Sequence, residues 1–273
     1  MAQFNLDDHN FLPQALRRLA PLLQPLRRHV SAGPRLVGGT TFSGKSALDA
    51  AQVQILAQAC LQGLDAARQV VFGWQKQGQS LADIYVQGVA PCARLIGEWW
   101  CADKLDFAMT TIVSSHLQQL LHEFSAEFLQ EAPQERNGWS LLLLTEPGAR
   151  HSMGLFMLSE FFKKAGWTVT LCVPQDVAEF KHVCYSDWFD AVGVSISTDR
   201  HLHTLSALLR QLKDGSSNPN MSLFLGGPMA MREPLLLSSI PAEVVAEDAP
   251  ATVQWVQQRV SQLALGGCEV PTF

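Results

Sequence analysis

From Ala47 to about Gln130 apolar side chains recur at intervals of three and four residues, the spacing that places them on one face of an α-helix. Val53, Leu56, Ala57, Cys60, Leu64, Ala67, Val71 and Trp74 predict a first long helix over 47–77, ended by Gly78. Ser80 is the N-cap of a second, with Asp83 in its first turn; it runs through Ile84, Val89, Leu95 and Ile96 to Trp100, with a kink expected at Pro91. Asp106 opens a third, carrying Phe107, Ile112, Leu117, Leu120, Leu121 and Phe124. Residues 1–30 hold a short amphipathic stretch (Leu16, Leu19, Leu22, Leu23, Leu26) interrupted by Pro21 and Pro25. With it, the N-terminal part reads as a four-helix unit.

After the polar linker 132–138 the period changes. Short apolar runs at 140–144, 168–173, 191–195, 222–225 and 242–245 alternate with helical segments, the last at about 251–263. That alternation predicts a doubly wound, five-stranded parallel sheet. The expected organisation is an N-terminal helix and loop (1–46), a helical bundle (47–131) and an α/β domain (139–265), followed by a loose GGCEVPTF tail.

The α/β half is organised around Thr145–Trp167. A strand, a Pro-Gly turn and His151 precede a helix whose apolar side carries Met153, Leu155, Phe156, Leu158, Phe161 and Phe162. His151 should therefore stand at the carboxyl end of the first strand, where open α/β sheets bind their ligands.

Composition narrows the class. The chain is 47% hydrophobic and 16% charged, with a net charge of −5, which suits a large core and gives no reason to invoke nucleic acid as a direct partner. Arg17, Arg18, Arg27, Arg28 and His29 cluster near the start; a solvated helix face explains them better than direct DNA contact. The six cysteines show no C-x-x-C, which argues against zinc and against a disulfide framework. No apolar run reaches the ~18 residues a membrane span needs, and the polar N-terminus is not a signal peptide, so a cytoplasmic protein is expected.

Gly39–Ser46 formally matches the phosphate-binding loop G-x-x-x-x-G-K-[ST]. Only Leu36 and Val37 precede it where a buried strand is needed, and helices follow it without a second strand to carry a magnesium-binding acid. It reads as a Gly/Ser-rich loop.

Three short motifs behave differently: R-H-S-M-G at His151 and Gly154, V-S-I-S at Ser195 and Ser197, and F-L-G-G-P at Gly226 and Gly227. Together they resemble the D-x-H-x-x-G, serine-pair and Gly-Gly pattern of cobalamin-binding domains. The resemblance implies that His151 is the axial ligand to cobalt. It also implies that Gly154 lets the nucleotide tail run close to the first helix, and that the serines and glycines leave the slot it fills. In the helical half, W-x-x-D-x-x-x-F from Trp100 followed by Thr110 and Thr111 resembles the cap over the upper corrin face in methionine synthase and light-sensing cobalamin repressors. With P-G-x-x-H-x-x-G and F-F-K-K-A-G-W, it is similar more narrowly to the AerR/PpaA antirepressors of purple photosynthetic bacteria and to the C-terminal domain of AppA. That likeness spans about residues 50–262 and implies a helical cap over a Rossmann-like cobalamin-binding domain. Trp100 is expected to cover the ligand, with Trp99 packing elsewhere; Thr110 and Thr111 occupy the positions of the relatives' Glu-His pair.

The departures carry information. The acid two residues before the ligand histidine is Ala149, so the axial bond should be weaker, unless Glu146 folds back to replace it. The missing Glu-His pair favours aquo- or hydroxocobalamin over an adenosyl form. Cys101 reads as a buried inert thiol rather than a redox-linked ligand. His116 and His122 read as packing or surface residues. His201 and His203 could reach a ligand on the same edge but read as surface residues.

Nothing in the chain supplies a substrate-holding barrel or a helix-turn-helix, so no enzyme is expected. The resemblance implies a light or redox sensor acting on a redox-responsive repressor of photosynthesis genes. A haem-binding sensor on the same scaffold, with His151 on iron, and a corrinoid carrier subunit of a methyltransferase remain the alternatives.

Overall fold

The computed structural model describes residues 47–131, 135–149, 152–200 and 202–266. The expected N-terminal helix, the Gly39–Ser46 loop, His151, His201 and the tail therefore lie outside the described residues. The chain divides into two compact units between Leu120 and Leu121.

The first unit is helical: α1 (Ala50–Gln62), α2 (Leu64–Lys76), α3 (Leu81–Asp83), a π-helical stretch Ile84–Val89, α4 (Ala90–Cys101) and the first half of α5 (Phe107–Gln130). Asp49 and Gln52 form a reciprocal capping box at the start of α1, each side chain accepting the other's backbone N–H. The single helix expected over 47–77 is two helices. Gly63, at φ +139°, breaks it after donating to the Ala59 carbonyl. The apolar spacing misses this break, because Cys60 and Ala67 are both buried on either side of it.

The expected kink at Pro91 takes a different form. Proline has no N–H to offer, and the backbone upstream is wound as a π-helix over Ile84–Val89, closed by Ala90 N–H to the Tyr85 carbonyl. Gly88 in that stretch admits the Trp74 ring, which would lie 2.8 Å from an added Cβ. Two expected caps are in place: Ser80 Oγ accepts from Asp83 N–H at 3.1 Å, and Asp106 Oδ1 accepts from Met109 N–H at 2.7 Å.

The second unit holds β1 (Ser140–Thr145), α6 (Met153–Lys164), β2 (Thr168–Cys172), α7 (Val177–Tyr185), β3 (Ala191–Ser195), α8 (Leu202–Gly215), β4 (Ser222–Gly226), α9 (Pro228–Arg232), a 3-10 turn Pro234–Leu237, β5 (Glu243–Val244) and α10 (Ala249–Gly266). The strands are all parallel, in the order β2-β1-β3-β4-β5. The α/β fold expected from the alternating pattern is the one observed.

Because side chains alternate across a strand, the sheet has two distinct faces. Leu142, Leu144, Val192, Val194, Leu223 and Leu225 pack with Phe180 of α7 and Leu205, Leu209 and Leu212 of α8. Leu141, Leu143 and Phe224 face the other way, towards α6 and α10, where the Phe224 and Trp255 rings lie 6.3 Å apart. The division between units falls within α5 rather than at 132–138, because the second half of α5 packs on α6. There Ser125 Oγ donates to Glu160, and the Phe128 and Phe161 rings meet at 4.9 Å.

Candidate functional site

The strand order reverses between β1 and β3, β2 lying on one side of β1 and β4 and β5 beyond β3. Connections leave such a point in opposite directions, so a crevice opens outside the carboxyl ends of these strands. The register sets Thr145, Ser195 and Gly226 in one row across β1, β3 and β4 at that edge. The row two residues earlier is Leu143, Gly193 and Phe224 on the same face. There the Phe224 ring lies over Gly193, so close that a Cβ on residue 193 would come within 2.3 Å of it. A bulky aromatic floor thus gives way, one pleat later, to three small residues. The Thr145 hydroxyl is buried and has no hydrogen-bond partner among the described residues.

Gly227 turns the chain off this row. Its φ of +90° and ψ of −175° lie in a region essentially closed to other residues, and an added Cβ would stand 2.5 Å from Ser195 Oγ and 2.9 Å from the backbone of Ile196. The turn seats α9 against β3: Met229 N–H donates to the Ile196 carbonyl at 3.0 Å, and Arg232 Nη2 to the Ser197 carbonyl at 3.2 Å. From β1, Glu146 Oε1 accepts from Ser197 N–H at 2.9 Å and Thr198 N–H at 3.3 Å. Residue 197 is thus held on its N–H side by a buried carboxylate and on its carbonyl side by a guanidinium. Glu146 lies across the sheet edge, bound to amides of the segment after β3.

Of the residues expected at a ligand, Ser195, Ser197, Gly226 and Gly227 come together at this edge. Gly154, in the first turn of α6, is exposed, and a Cβ there would meet nothing within 4 Å. These residues fit a corrinoid's tail: small side chains in one row, a buried hydroxyl without a partner among the described residues, and open space beside the helix.

In the helical unit Trp99 and Trp100 are both half-buried. The hydroxyls of Thr110 and Thr111 donate to the carbonyls of Asp106 and Phe107 at 2.8 Å, the usual i−4 bond of a helical threonine. Cys101, expected buried, is half-exposed at the end of α4; desolvation and the Asp103 carboxylate raise its thiol pKa, which keeps it protonated. His116 Nδ1 lies 2.8 Å from the Cys60 carbonyl, the His122 ring packs on Phe156 at 4.1 Å, and His203 is exposed. The sequence offers no motif for Thr145 or Arg232, and it marks Glu146 solely as a stand-in for the acid missing before His151; in the structure Glu146 Oε1 accepts from the Ser197 and Thr198 amides. Thr145 could have been found, as the last residue of an apolar strand run.

No family model matches the chain. It is 24% identical over 160 residues, 59% of this chain and 83% of the relative, to an uncharacterized 20.5 kDa protein of the bchF-crtJ intergenic region in Rhodobacter capsulatus. Among solved structures it is similar to the monomethylamine corrinoid protein of Methanosarcina barkeri, with a TM-score of 0.62 at 13% identity, over 74% of this chain and 95% of that one. A cobalamin-binding protein of Desulfitobacterium hafniense DCB-2 matches 76% of this chain and 98% of its own with a TM-score of 0.37 at 15% identity. The chain has the fold of a Rossmann-like corrinoid protein, with helices preceding a five-stranded parallel sheet.

Proposed function

We propose that this protein is a sensor that holds a cobalamin at the carboxyl edge of its sheet, with His151 as the axial ligand to cobalt, and relays its state to a transcriptional repressor. The row Thr145, Ser195 and Gly226 beside the Phe224 floor carries the reading, because it sets three small residues side by side where the strand order reverses. Gly227 packs closely on Ser195 and Ile196 and so turns the chain away from this row, while the space beside Gly154 is open. Met231, Leu235 and Leu236, 54%, 85% and 48% exposed on the segment that follows, offer apolar surface that a macrocycle would cover.

When bound, cobalamin supplies a cobalt centre whose axial ligation responds to light or oxidation. The chain's own contribution is to hold the tail, present one imidazole and give no chemistry to a substrate. A ligand can shift the protein only if it binds two of its states unequally, so the sensor reading requires repressor affinity to differ between illuminated and dark protein or between oxidised and reduced protein.

The fold likeness to a monomethylamine corrinoid protein favours a second reading, a carrier subunit that presents a corrinoid to a methyltransferase. Spectra of protein purified with hydroxocobalamin or with haemin, for wild type and His151→Ala, test both. Corrin bands that shift in the variant support the cobalamin assignment, and a Soret band would replace it with haem. Corrin binding with an unchanged spectrum in His151→Ala removes the histidine. Light-dependent repressor binding supports the sensor, and methyl turnover with a partner methyltransferase supports the carrier.

A further inference from the structure

We infer that Arg232 forms an anion subsite at the carboxyl edge and selects corrinoids that carry a phosphodiester-linked nucleotide tail. The inference rests on the corrinoid reading above and adds to it the residue that would recognise the tail's charge.

Among the described residues Arg68 and Arg259 are half-buried and paired with carboxylates, Asp65 and Glu243. Arg94, Arg136, Arg200 and Arg210 have no carboxylate partner among the described residues and are exposed, where water solvates them. Arg232 differs from both groups. It is half-buried, and its polar contact among the described residues is a neutral one, Nη2 to the Ser197 carbonyl at 3.2 Å. A partly desolvated cation held by one carbonyl retains most of its five N–H donors for another acceptor. A planar guanidinium suits two oxygens of one phosphate group.

Its position is fixed by the same turn that shapes the slot. Gly227 lies against Ser195 and Ile196, Met229 N–H bonds the Ile196 carbonyl, and Arg232 reaches the next carbonyl along, at Ser197. The Ser197 contact therefore holds the guanidinium at the segment that leaves β3, two residues beyond Ser195, which is paired with Gly226. The carboxylate on the same residue, Glu146, is bound to the Ser197 and Thr198 amides on its other side. A corrinoid tail seated at this edge brings one negative phosphodiester to a guanidinium that has no carboxylate partner among the described residues.

The test compares aquocobalamin with cobinamide, which has the macrocycle but no nucleotide loop, in equilibrium binding to wild type, Arg232→Gln and Arg232→Lys. Wild type should prefer aquocobalamin. Arg232→Gln should lose about tenfold or more of its aquocobalamin affinity and none for cobinamide, and Arg232→Lys should recover part of the loss. The aquocobalamin preference should also weaken with added salt in wild type and much less in Arg232→Gln. Unchanged cobinamide binding shows that the variant is folded. Equal losses for both ligands, or no loss for either, would overturn the role of Arg232 while leaving the corrinoid reading intact. Binding of neither ligand by wild type would overturn the corrinoid reading and this inference with it.

Discussion

Replacing Gly154 by alanine separates the needs of the fold from those of the ligand. Gly154 sits in the first turn of α6, after Ser152 at the N-cap, and an added methyl would meet no atom within 4 Å. With no clash, removing glycine's backbone freedom should stabilise the ligand-free protein by roughly 0.5–1 kcal/mol, at the lower end because the position is in the first turn. For a unit of this size that is a rise in melting temperature of about 1–4 °C. A ligand tail lying against the helix backbone would instead meet the methyl directly. Overpacking of that kind costs about 1–3 kcal/mol, a loss of roughly 5- to 150-fold in affinity. Thermal unfolding of the ligand-free protein and titration with hydroxocobalamin read the two effects separately. A more stable Gly154→Ala protein that binds hydroxocobalamin as tightly as wild type would refute the path of the tail beside α6. A destabilised one would refute the open space itself.

Gly227→Ala should behave oppositely. The disallowed backbone region and the 2.9 Å approach to the Ile196 backbone together predict a loss of about 2–4 kcal/mol in urea unfolding, since backbone cannot move aside as a flexible side chain can. Phe224→Ala should remove the floor of the slot and destabilise by about 3–5 kcal/mol, with the urea midpoint as readout. Cys184, in the core against α8, has its thiol pKa pushed up to about 12 from the ordinary 9.0, first by burial and then by Cys172. Folding thus keeps a proton that the unfolded chain releases. The contribution is complete below pH 9 and is lost as pH rises towards 12; Cys184→Val should flatten the alkaline limb of the stability profile in that window.

The strands were legible because each is a short apolar run bounded by polar turns, and the observed bounds of β1, β3 and β4 differ from the expected ones by a residue at most. Ser80 and Asp106 were legible because capping is local: one side-chain oxygen and a backbone N–H three residues on. The break at Gly63 was not, since the apolar spacing continues across it and only the backbone angle changes. The π-helical stretch before Pro91 was equally hidden. A proline announces a missing donor but does not say which carbonyls will be rebonded, or how.

The site divides along the same line. Ser195, Ser197, Gly226 and Gly227 could be named from short motifs because each ends a strand or follows it within two residues, and chain order places it at that strand's carboxyl end. The sequence by itself therefore determined the alternating architecture, the polarity of the sheet and the carboxyl edge at which Ser195, Ser197, Gly226 and Gly227 gather. It could not determine that Thr145 shares a row with Ser195 and Gly226, that Phe224 lies over Gly193, or that Glu146 and Arg232 hold opposite sides of residue 197. These are contacts between residues 31 to 51 positions apart along the chain. They follow from strand order and register, which the hydrophobic pattern of any single strand leaves open and only the packed sheet decides.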